Sequence, residues 1–80
     1  MTYFVYIVIC SDNSYYCGIT NNLENRISCH NAGKASKYTR VRLPVRLIYK
    51  EECANKSEAL KREYKIKSFS RKKKEKLIGV

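Results

Sequence analysis

The chain has 80 residues, which is enough for one small domain spanning residues 1–80 and too few for a second hydrophobic core. Its 17 Lys and Arg residues outnumber its 7 Asp and Glu residues, and the net charge of +10 favours a polyanionic partner over an acidic one. The four cysteines lack Cys-x-x-Cys spacing and the single histidine cannot complete the usual zinc patterns, so we expect reduced, packed cysteines in a cytoplasmic protein.

The first predicted element is a strand over Tyr3–Cys10, a run rich in β-branched and aromatic residues. Because both of its alternating faces are apolar, we expect a central strand that is covered on both sides. The run is too short to span a bilayer and lacks the basic start of a secretory leader, so we predict no membrane partner.

Residues 11–14 form a turn cluster, and Tyr15–Thr20 returns as a second strand. A two-residue loop would place Tyr6 and Tyr16 on opposite faces of the hairpin. A three-residue loop would pair Val8 with Tyr16 and place both tyrosines on one face. The sequence leaves both registers open.

Residues 21–33 predict a helix with signals at both ends. Two asparagines open the segment, Glu24 follows the first of them by three residues, and Gly33 closes it. Asparagine is a common N-cap, and glycine takes the left-handed conformation of a helix end at little cost.

This helix carries an arginine and the only histidine of the chain. On a helical wheel Leu23 and Ile27 mark the inward stripe, with Arg26 on its flank and His30 almost in line with Leu23. Arg26 and His30 are four residues apart, so both side chains point to one side of the helix. We therefore expect them to face the residues that pack against it.

The charge of the chain changes after this helix. Residues 1–33 hold one basic and two acidic residues, whereas residues 34–80 hold 16 basic and five acidic ones. Residues 34–44 interleave basic side chains with a tyrosine and two hydroxyl groups and show no clear period, which predicts an exposed loop that contacts nucleic-acid phosphates. The candidate nucleic-acid-binding residues are Lys34, Lys37, Tyr38, Arg40 and Arg42.

Three further elements are predicted in the basic part of the chain. Val45–Lys50 is a third strand that is polar enough to lie near a sheet edge, and residues 51–56 connect it to a helix. That helix runs from Glu58 to about residue 67 and is capped by Ser57 or Asn55, and a last, basic helix over residues 71–78 is capped by Ser70. The last helix is expected to be a solvated face that is also able to contact phosphates.

Glu63 has an unusual position on the second of these helices. On a helical wheel it lies in the middle of an apolar arc formed by Ala59, Leu60, Tyr64 and Ile66. A carboxylate there costs several kcal/mol unless a cation, a metal ion or hydrogen-bond donors meet it. A salt bridge to Lys67, four residues on, is the competing explanation, and spacing alone leaves both open.

In this order and with these gaps, the segments 3–8, 14–21, 23–33, 37–40 and 57–63 resemble the GIY-YIG nuclease superfamily, in its small stand-alone, YhbQ-like branch. The first motif reads Val5-Tyr6-Ile7 and lacks its glycine, and the second reads Tyr16-Cys17-Gly18. Both tyrosines and the final glycine are retained. Ile19 and Thr20 stand where some members of the superfamily carry a lysine.

The resemblance implies an α/β (α+β) domain with a three-stranded antiparallel sheet and about three flanking helices. It also implies metal-dependent hydrolysis of DNA phosphodiester bonds, in repair or processing. In this scheme Glu63 holds one divalent metal ion, Mg²⁺ or Mn²⁺, Arg26 steadies the phosphate, and His30 forms a hydrogen bond or shuttles a proton. Tyr6 and Tyr16 flank the attacking water.

Tyr6 is the first candidate for the general base and Tyr16 is its rival. A free tyrosine has a pKa near 10, so a phenolate at neutral pH requires stabilisation by about 3 pKa units, or roughly 4 kcal/mol. Arg26, the metal ion and nearby lysines would have to cluster around the phenol to supply it.

Two other functions remain open at this point. A non-catalytic nucleic-acid-binding module would use the same basic surface without turnover, and a weaker alternative is an adaptor that binds an acidic protein. The expected partner is DNA, structured or single-stranded and without sequence preference, because so small a domain has few means of reading a sequence. We expect a monomer.

Overall fold

The computed structural model describes residues 2–79. Its elements in chain order are β1 (Tyr3–Ile9), β2 (Tyr15–Thr20), α1 (Leu23–Asn31), α2 (Lys37–Arg40), β3 (Arg46–Cys53), α3 (Lys56–Lys67) and α4 (Arg71–Ile78). The three strands form one antiparallel sheet in the order β2-β1-β3. This α+β architecture confirms the predicted fold class, with four helices instead of about three. None of the helices within residues 2–79 is long and apolar enough to cross a bilayer.

The central strand β1 is covered on both faces, as its sequence predicts. On one face Val5 and Ile7 belong to a fully apolar cluster that includes Ala59 and Ile66 of α3. On the opposite face a second cluster contains Tyr6, Val8, Cys10 and Val45, and Leu23 and Ile27 of α1 pack against it. Because β1 is apolar at every position, it can be buried from both sides at once.

The hairpin between β1 and β2 uses the three-residue loop. The backbone N–H of Cys10 donates to the carbonyl of Ser14 at 2.8 Å, and Val8 pairs with Tyr16. Asn13 in the loop has a φ of 67°, a left-handed conformation that asparagine tolerates better than most residues. This register places Tyr6 and Tyr16 on the same face of the sheet.

The third strand is longer than predicted. Residues 51–53, assigned to a connection, continue β3, because Val5 pairs with Glu51, Phe4 with Glu52 and Tyr3 with Cys53. The weak strand propensity of consecutive glutamates is overridden by the neighbouring strand β1, which supplies the ladder. The predicted edge position of β3 is confirmed.

The basic segment 34–44 is not an uninterrupted exposed loop. Ser36 accepts a hydrogen bond from the backbone N–H of Tyr38 and so caps the short helix α2. Thr39 on this helix is fully buried. The prediction of an exposed loop is therefore wrong for residues 37–40, and the Thr39 hydroxyl faces the protein interior.

Asparagine and serine side chains begin the other helices. The side chain of Asn22 caps α1, that of Asn55 caps α3 and that of Ser70 caps α4. Asn55, not Ser57, is thus the cap of the second predicted helix. Gly33 follows α1 with a φ of 76°, the left-handed conformation predicted for it.

Candidate active site

Tyr6 projects from the middle of the sheet and lies over the backbone of its cross-strand partner Gly18. A Cβ atom at Gly18 would stand 2.6 Å from the Tyr6 Oη and 2.8 Å from its Cζ. Any side chain at position 18 would therefore displace the phenol. The glycine of the second motif is required here by close approach, and not by an unusual backbone conformation.

A buried chain of hydrogen bonds leads from the phenol to α2. Tyr6 Oη lies 2.8 Å from His30 Nε2, and His30 Nδ1 lies 2.8 Å from Thr39 Oγ1. The exposed fractions of these three residues are 2%, 1% and 0%. The Thr39 hydroxyl also donates to the carbonyl of Ser36 at 3.4 Å. With that donor assignment Thr39 accepts from Nδ1–H, so Nε2 accepts the proton of Tyr6.

The two titratable residues of this hydrogen-bond chain, Tyr6 and His30, are held in their neutral forms. Burial lowers the pKa of His30, and the nearby Arg26 guanidinium lowers it further. Burial raises the pKa of Tyr6 well above its ordinary value, Tyr16 adds to the rise, and Arg26 opposes it without cancelling it. This environment therefore does not stabilise a free Tyr6 phenolate at neutral pH, the form expected of a tyrosine that acts alone as the base.

Arg26 projects from α1 and is partly buried. It lines a surface pocket with Tyr3, Ile19, Thr20, Asn21 and Lys56. Among the side chains of residues 2–79, no carboxylate forms an ion pair with Arg26. The guanidinium is thus close enough to act on Tyr6 and His30 and remains available for a phosphate.

Glu63 lies on the border of the apolar face of α3 and not in its middle. Ala59 and Ile66 are fully buried, but Leu60 and Tyr64 are 46% and 71% exposed, so half of the predicted arc faces solvent. The Glu63 side chain is 18% exposed, and its Oε2 lies 3.5 Å from Lys67 Nζ. The two explanations therefore coexist, because the Glu63 side chain is largely buried and its carboxylate is also paired with Lys67.

Glu63 acts electrostatically on the sheet beneath it. Burial raises the pKa of the Cys17 thiol to about 11, and Glu63 adds to that rise. Glu63 also contributes, as a minor cause, to the raised pKa of Tyr6. The carboxylate therefore acts on Cys17, on the face of the sheet that α3 covers, and only weakly on Tyr6 of the opposite face.

Within residues 2–79, no three His, Cys, Asp or Glu side chains form a group able to hold a metal ion. The donor set at Glu63 is a single carboxylate on α3, the helix that packs on the Val5 and Ile7 face of the sheet, whereas Tyr6 lies on the opposite face under α1. Magnesium is commonly bound by one or two carboxylates together with water and substrate phosphate. Glu63 thus fits a hard divalent ion that takes its remaining ligands from water and substrate.

Tyr16 connects the buried chain to the surface. Its ring packs edge-on against His30 with the centroids 5.3 Å apart and stacks with Tyr38 at 6.0 Å. The Arg42 guanidinium lies 3.9 Å from the centroid of the Tyr38 ring. The Tyr16 and Tyr38 rings, called the aromatic wall below, therefore extend from the protein interior to the basic segment that follows α1.

The five predicted nucleic-acid-binding residues divide into two groups. Lys34, Lys37 and Arg40 are exposed. Arg42 is instead engaged by Asp12 at 3.0 Å and by the Tyr38 carbonyl at 2.8 Å, and Tyr38 is 38% exposed. The guanidinium of Arg42 thus holds a tyrosine in place, which the sequence did not indicate.

The structure also reveals participants that the sequence analysis missed. Thr39 completes the buried chain, and its only prior signal was a hydroxyl group within a basic run. Asn31 joins the end of α1 to Val45, the residue before β3, since its side chain accepts from Val45 N–H at 2.8 Å and donates to the Val45 carbonyl at 3.2 Å. This pair of bonds positions α1, and therefore His30, over the sheet.

Comparison with known proteins agrees with the resemblance found in the sequence. A family model described as the GIY-YIG catalytic domain matches residues 2–76. A UPF0213 protein of Staphylococcus haemolyticus is 58% identical over 76 residues, which cover 95% of this chain and 93% of that protein. A UPF0213 protein of Staphylococcus saprophyticus is 55% identical over 77 residues, covering 96% and 94% of the two chains.

Solution NMR structures of two proteins share this fold. That of a UPF0213 protein from Bacillus halodurans superposes with a TM-score of 0.63 at 45% identity and covers 98% of this chain and 83% of that one. That of a protein from E. faecalis superposes with a TM-score of 0.66 at 38% identity, with the same two coverages.

Proposed function

Because the chain belongs to the GIY-YIG catalytic-domain family, we propose that it is a nuclease that hydrolyses DNA phosphodiester bonds with one divalent metal ion, Mg²⁺ or Mn²⁺. The observation that carries the proposal is the buried Tyr6–His30–Thr39 chain beside an arginine that has no carboxylate partner within residues 2–79. A merely structural domain of this size gains little from burying a histidine and a threonine in one core.

Arg26 is the proposed phosphate ligand. Its guanidinium is permanently charged and can donate to two phosphate oxygens at once, which stabilises the charge that develops on them during hydrolysis. Its proximity to Tyr6 and His30, evident from its effect on both pKa values, would place the phosphate next to the proton-transfer groups.

Tyr6 and His30 are the proposed proton-transfer pair. As Tyr6 Oη takes a proton from the attacking water, its own proton passes to His30 Nε2 over the 2.8 Å hydrogen bond. The water oxygen forms a bond to phosphorus, the bond to the leaving oxygen breaks, and that oxygen takes a proton from solvent. The proton held on His30 Nε2 returns through Tyr6 to solvent when the product leaves. This relay removes the need for a standing phenolate and fits the raised pKa of Tyr6.

Glu63 is the proposed metal ligand. A bound divalent ion supplies charge stabilisation on the phosphate and leaving-group oxygens. Lys67, paired with Glu63 at 3.5 Å, would be released from the carboxylate when the ion binds. The desolvation cost of a carboxylate on a side chain that is only 18% exposed would be offset by the ion.

The exposed Lys34, Lys37 and Arg40 are proposed to contact the DNA backbone outside the centre. We further propose that residues 1–80 act as one monomeric domain in the cytoplasm, since all four cysteines are free thiols and free thiols are typical of a reducing compartment.

The test is a cleavage assay on single-stranded, duplex and branched DNA with Mg²⁺ or Mn²⁺, or with a chelator. The wild type is compared with Arg26→Ala, Glu63→Gln and the matched control Glu58→Gln, which removes another glutamate–lysine pair of α3. We expect cleavage to require the metal and to be lost in Arg26→Ala and Glu63→Gln only. Equal cleavage by all four proteins would refute the site.

A comparison of Tyr6→Phe with Tyr16→Phe identifies the base. The relay predicts the larger loss for Tyr6→Phe, and a larger loss for Tyr16→Phe would move the role to the more accessible phenol. Salt-sensitive DNA binding with no turnover on any substrate would support the alternative of a non-catalytic binding module. Binding to an acidic protein that persists without nucleic acid would support the adaptor.

A further inference from the structure

A second pocket adjoins the candidate active site at the outer edge of β2. It has a volume of about 250 Å³ and is lined by Tyr15, Tyr16, Cys17, Tyr38, Lys67 and Lys74. Four elements thus contribute to it, including the helix α4. The ring of Tyr16, which lines it, packs against His30 of the buried hydrogen-bond chain. The role proposed above for the active site leaves this pocket, Lys74 and Tyr38 unused.

The charge of the pocket selects an anion. Among residues 2–79 no carboxylate lines it, although Glu63 is paired with Lys67 at 3.5 Å. Burial and Glu63 raise the pKa of Cys17 at the floor of the pocket, and Lys67 and Lys74 oppose that rise. Lys74 is partly buried and, within residues 2–79, forms no ion pair with a carboxylate. A partly desolvated ammonium group without a counter-ion is unfavourable, so a phosphate bound there would be stabilising.

The aromatic rings that line the pocket favour a ligand that carries a flat base in addition to a phosphate. Tyr16 and Tyr38 present stacked rings 6.0 Å apart with an angle of 22° between their planes. Aromatic walls next to basic residues are the usual means by which proteins hold bases of single-stranded nucleic acid, because every base has a flat face. A base inside a duplex is already stacked on its neighbours and cannot enter such a pocket.

The aromatic wall is held in place before any ligand arrives. Arg42 lies over the Tyr38 ring at 3.9 Å and donates to the Tyr38 carbonyl at 2.8 Å. Asp12 of the hairpin loop in turn binds Arg42 at 3.0 Å. A wall fixed in this way loses less conformational freedom when a ligand binds, which favours affinity.

We propose that this pocket binds an unpaired nucleotide next to the scissile phosphate, with its phosphate at Lys74 and its base against Tyr16 and Tyr38. The substrate class is then nucleic acid with a single-stranded segment at the cleavage site, and not fully paired duplex. Its link to cleavage rests on the proposed nuclease function, whereas nucleotide binding itself does not.

The test measures binding without divalent metal, by fluorescence anisotropy, to a labelled oligothymidylate and to an oligomer of equal length that has no bases. Wild type is expected to bind the oligothymidylate about 10-fold more tightly than the abasic oligomer, since stacking on one aromatic wall contributes that much. Tyr38→Ala should abolish this difference, and Tyr38→Phe, which keeps the ring, should restore it.

Lys74→Ala is the second variant, and Lys72→Ala, an exposed lysine of the same helix that lies outside the pocket, is its matched control. Lys74→Ala should weaken binding of both oligomers alike and reduce the salt slope of log Kd by about 0.7, one phosphate contact. Lys72→Ala should leave the slope nearly unchanged.

Three outcomes would overturn the pocket assignment. In the first, Tyr38→Ala still binds the oligothymidylate more tightly than the abasic oligomer, as wild type does. In the second, Lys74→Ala has the same salt slope as Lys72→Ala. In the third, binding of duplex DNA depends on Tyr38 as strongly as binding of the oligothymidylate. Circular dichroism of each variant verifies its fold. A protein that passes this test but cleaves nothing would refute the proposed nuclease function and leave the pocket standing.

Discussion

The two faces of the sheet bury different kinds of side chain, although the same strand β1 supplies both. Under α3 and α4 the buried residues are Val5, Ile7, Cys17, Ala59 and Ile66, and all are apolar. Under α1 and α2, Tyr6 and Val8 are joined by the buried His30 and Thr39. The buried side chains of the first face contribute only packing, and Glu63 stands at the border of the helix above them. Those of the second face combine packing with the hydrogen-bond chain that we propose carries protons.

The polar face retains its stability because its buried groups are paired. Among the described residues that are not exposed, no buried side-chain nitrogen or oxygen atom is left without a hydrogen-bond partner. A satisfied buried network costs little, whereas one missing partner costs about 1–3 kcal/mol. The comparison of the two faces therefore predicts which substitutions affect chemistry and which affect only folding.

The largest effect is expected from His30→Gln on the polar face. Glutamine can still bond with Tyr6 and Thr39 but cannot take and return a proton, so cleavage should fall by about 10²–10⁴-fold while the protein remains folded. Single-turnover rates and thermal unfolding of the same preparation check this. Wild-type rates in His30→Gln would remove the functional distinction between the faces.

Ile66→Ala makes the converse test on the apolar face. Ile66 is fully buried, so its truncation should lower the free energy of unfolding by about 2–5 kcal/mol and leave the cleavage rate per folded molecule unchanged. Urea denaturation measures the loss. If the alanine variant does not fold, Ile66→Val should cost about 0.5–1.5 kcal/mol, and a matching fall in its specific activity would contradict the distinction.

Gly18→Ala sharpens the comparison, because β2 contributes to both faces. The added methyl group would meet Tyr6 Oη at 2.6 Å, so the phenol must shift away from His30. Overpacking of this kind costs about 1–3 kcal/mol, and cleavage should decline with it. Gly79→Ala is a poor control, because Gly79 has a φ of 96°, which alanine adopts only with strain. Ser28→Ala, on the exposed side of α1, is the better control and should alter neither stability nor cleavage.

The smallest expected effect is a dependence of stability on pH that arises from the polar face alone. The folded protein lowers the pKa of His30, so the unfolded chain takes up a proton first as the pH falls. This contribution is therefore complete above the unfolded pKa of about 6.5 and is lost as the pH drops through that value towards the folded pKa. Urea denaturation from pH 8 to 5 should show this loss in wild type and not in His30→Gln.

Much of the fold was predictable because its signals are local. The two-sided burial of β1 follows from a continuous apolar run, and Ser70 and Gly33 mark helix ends through the hydrogen bonds and backbone angles of their own neighbourhoods. The inward placement of His30 followed from helical periodicity alone. The α2 helix was missed because a helix of four residues has too few positions to show a period.

Sequence alone determined which residue types are available for chemistry, where most elements begin and end, and that the second part of the chain is strongly basic. Tertiary structure decided what those residues do. Tyr6 reaches His30 across 24 positions, and Asp12 binds Arg42 across 30 positions. Such contacts depend on strand register and helix docking, which bring together residues whose own neighbours in the chain carry no signal of the meeting. For that reason Arg42 becomes a support for Tyr38, and Lys74 of the last helix reaches the edge of the candidate active site.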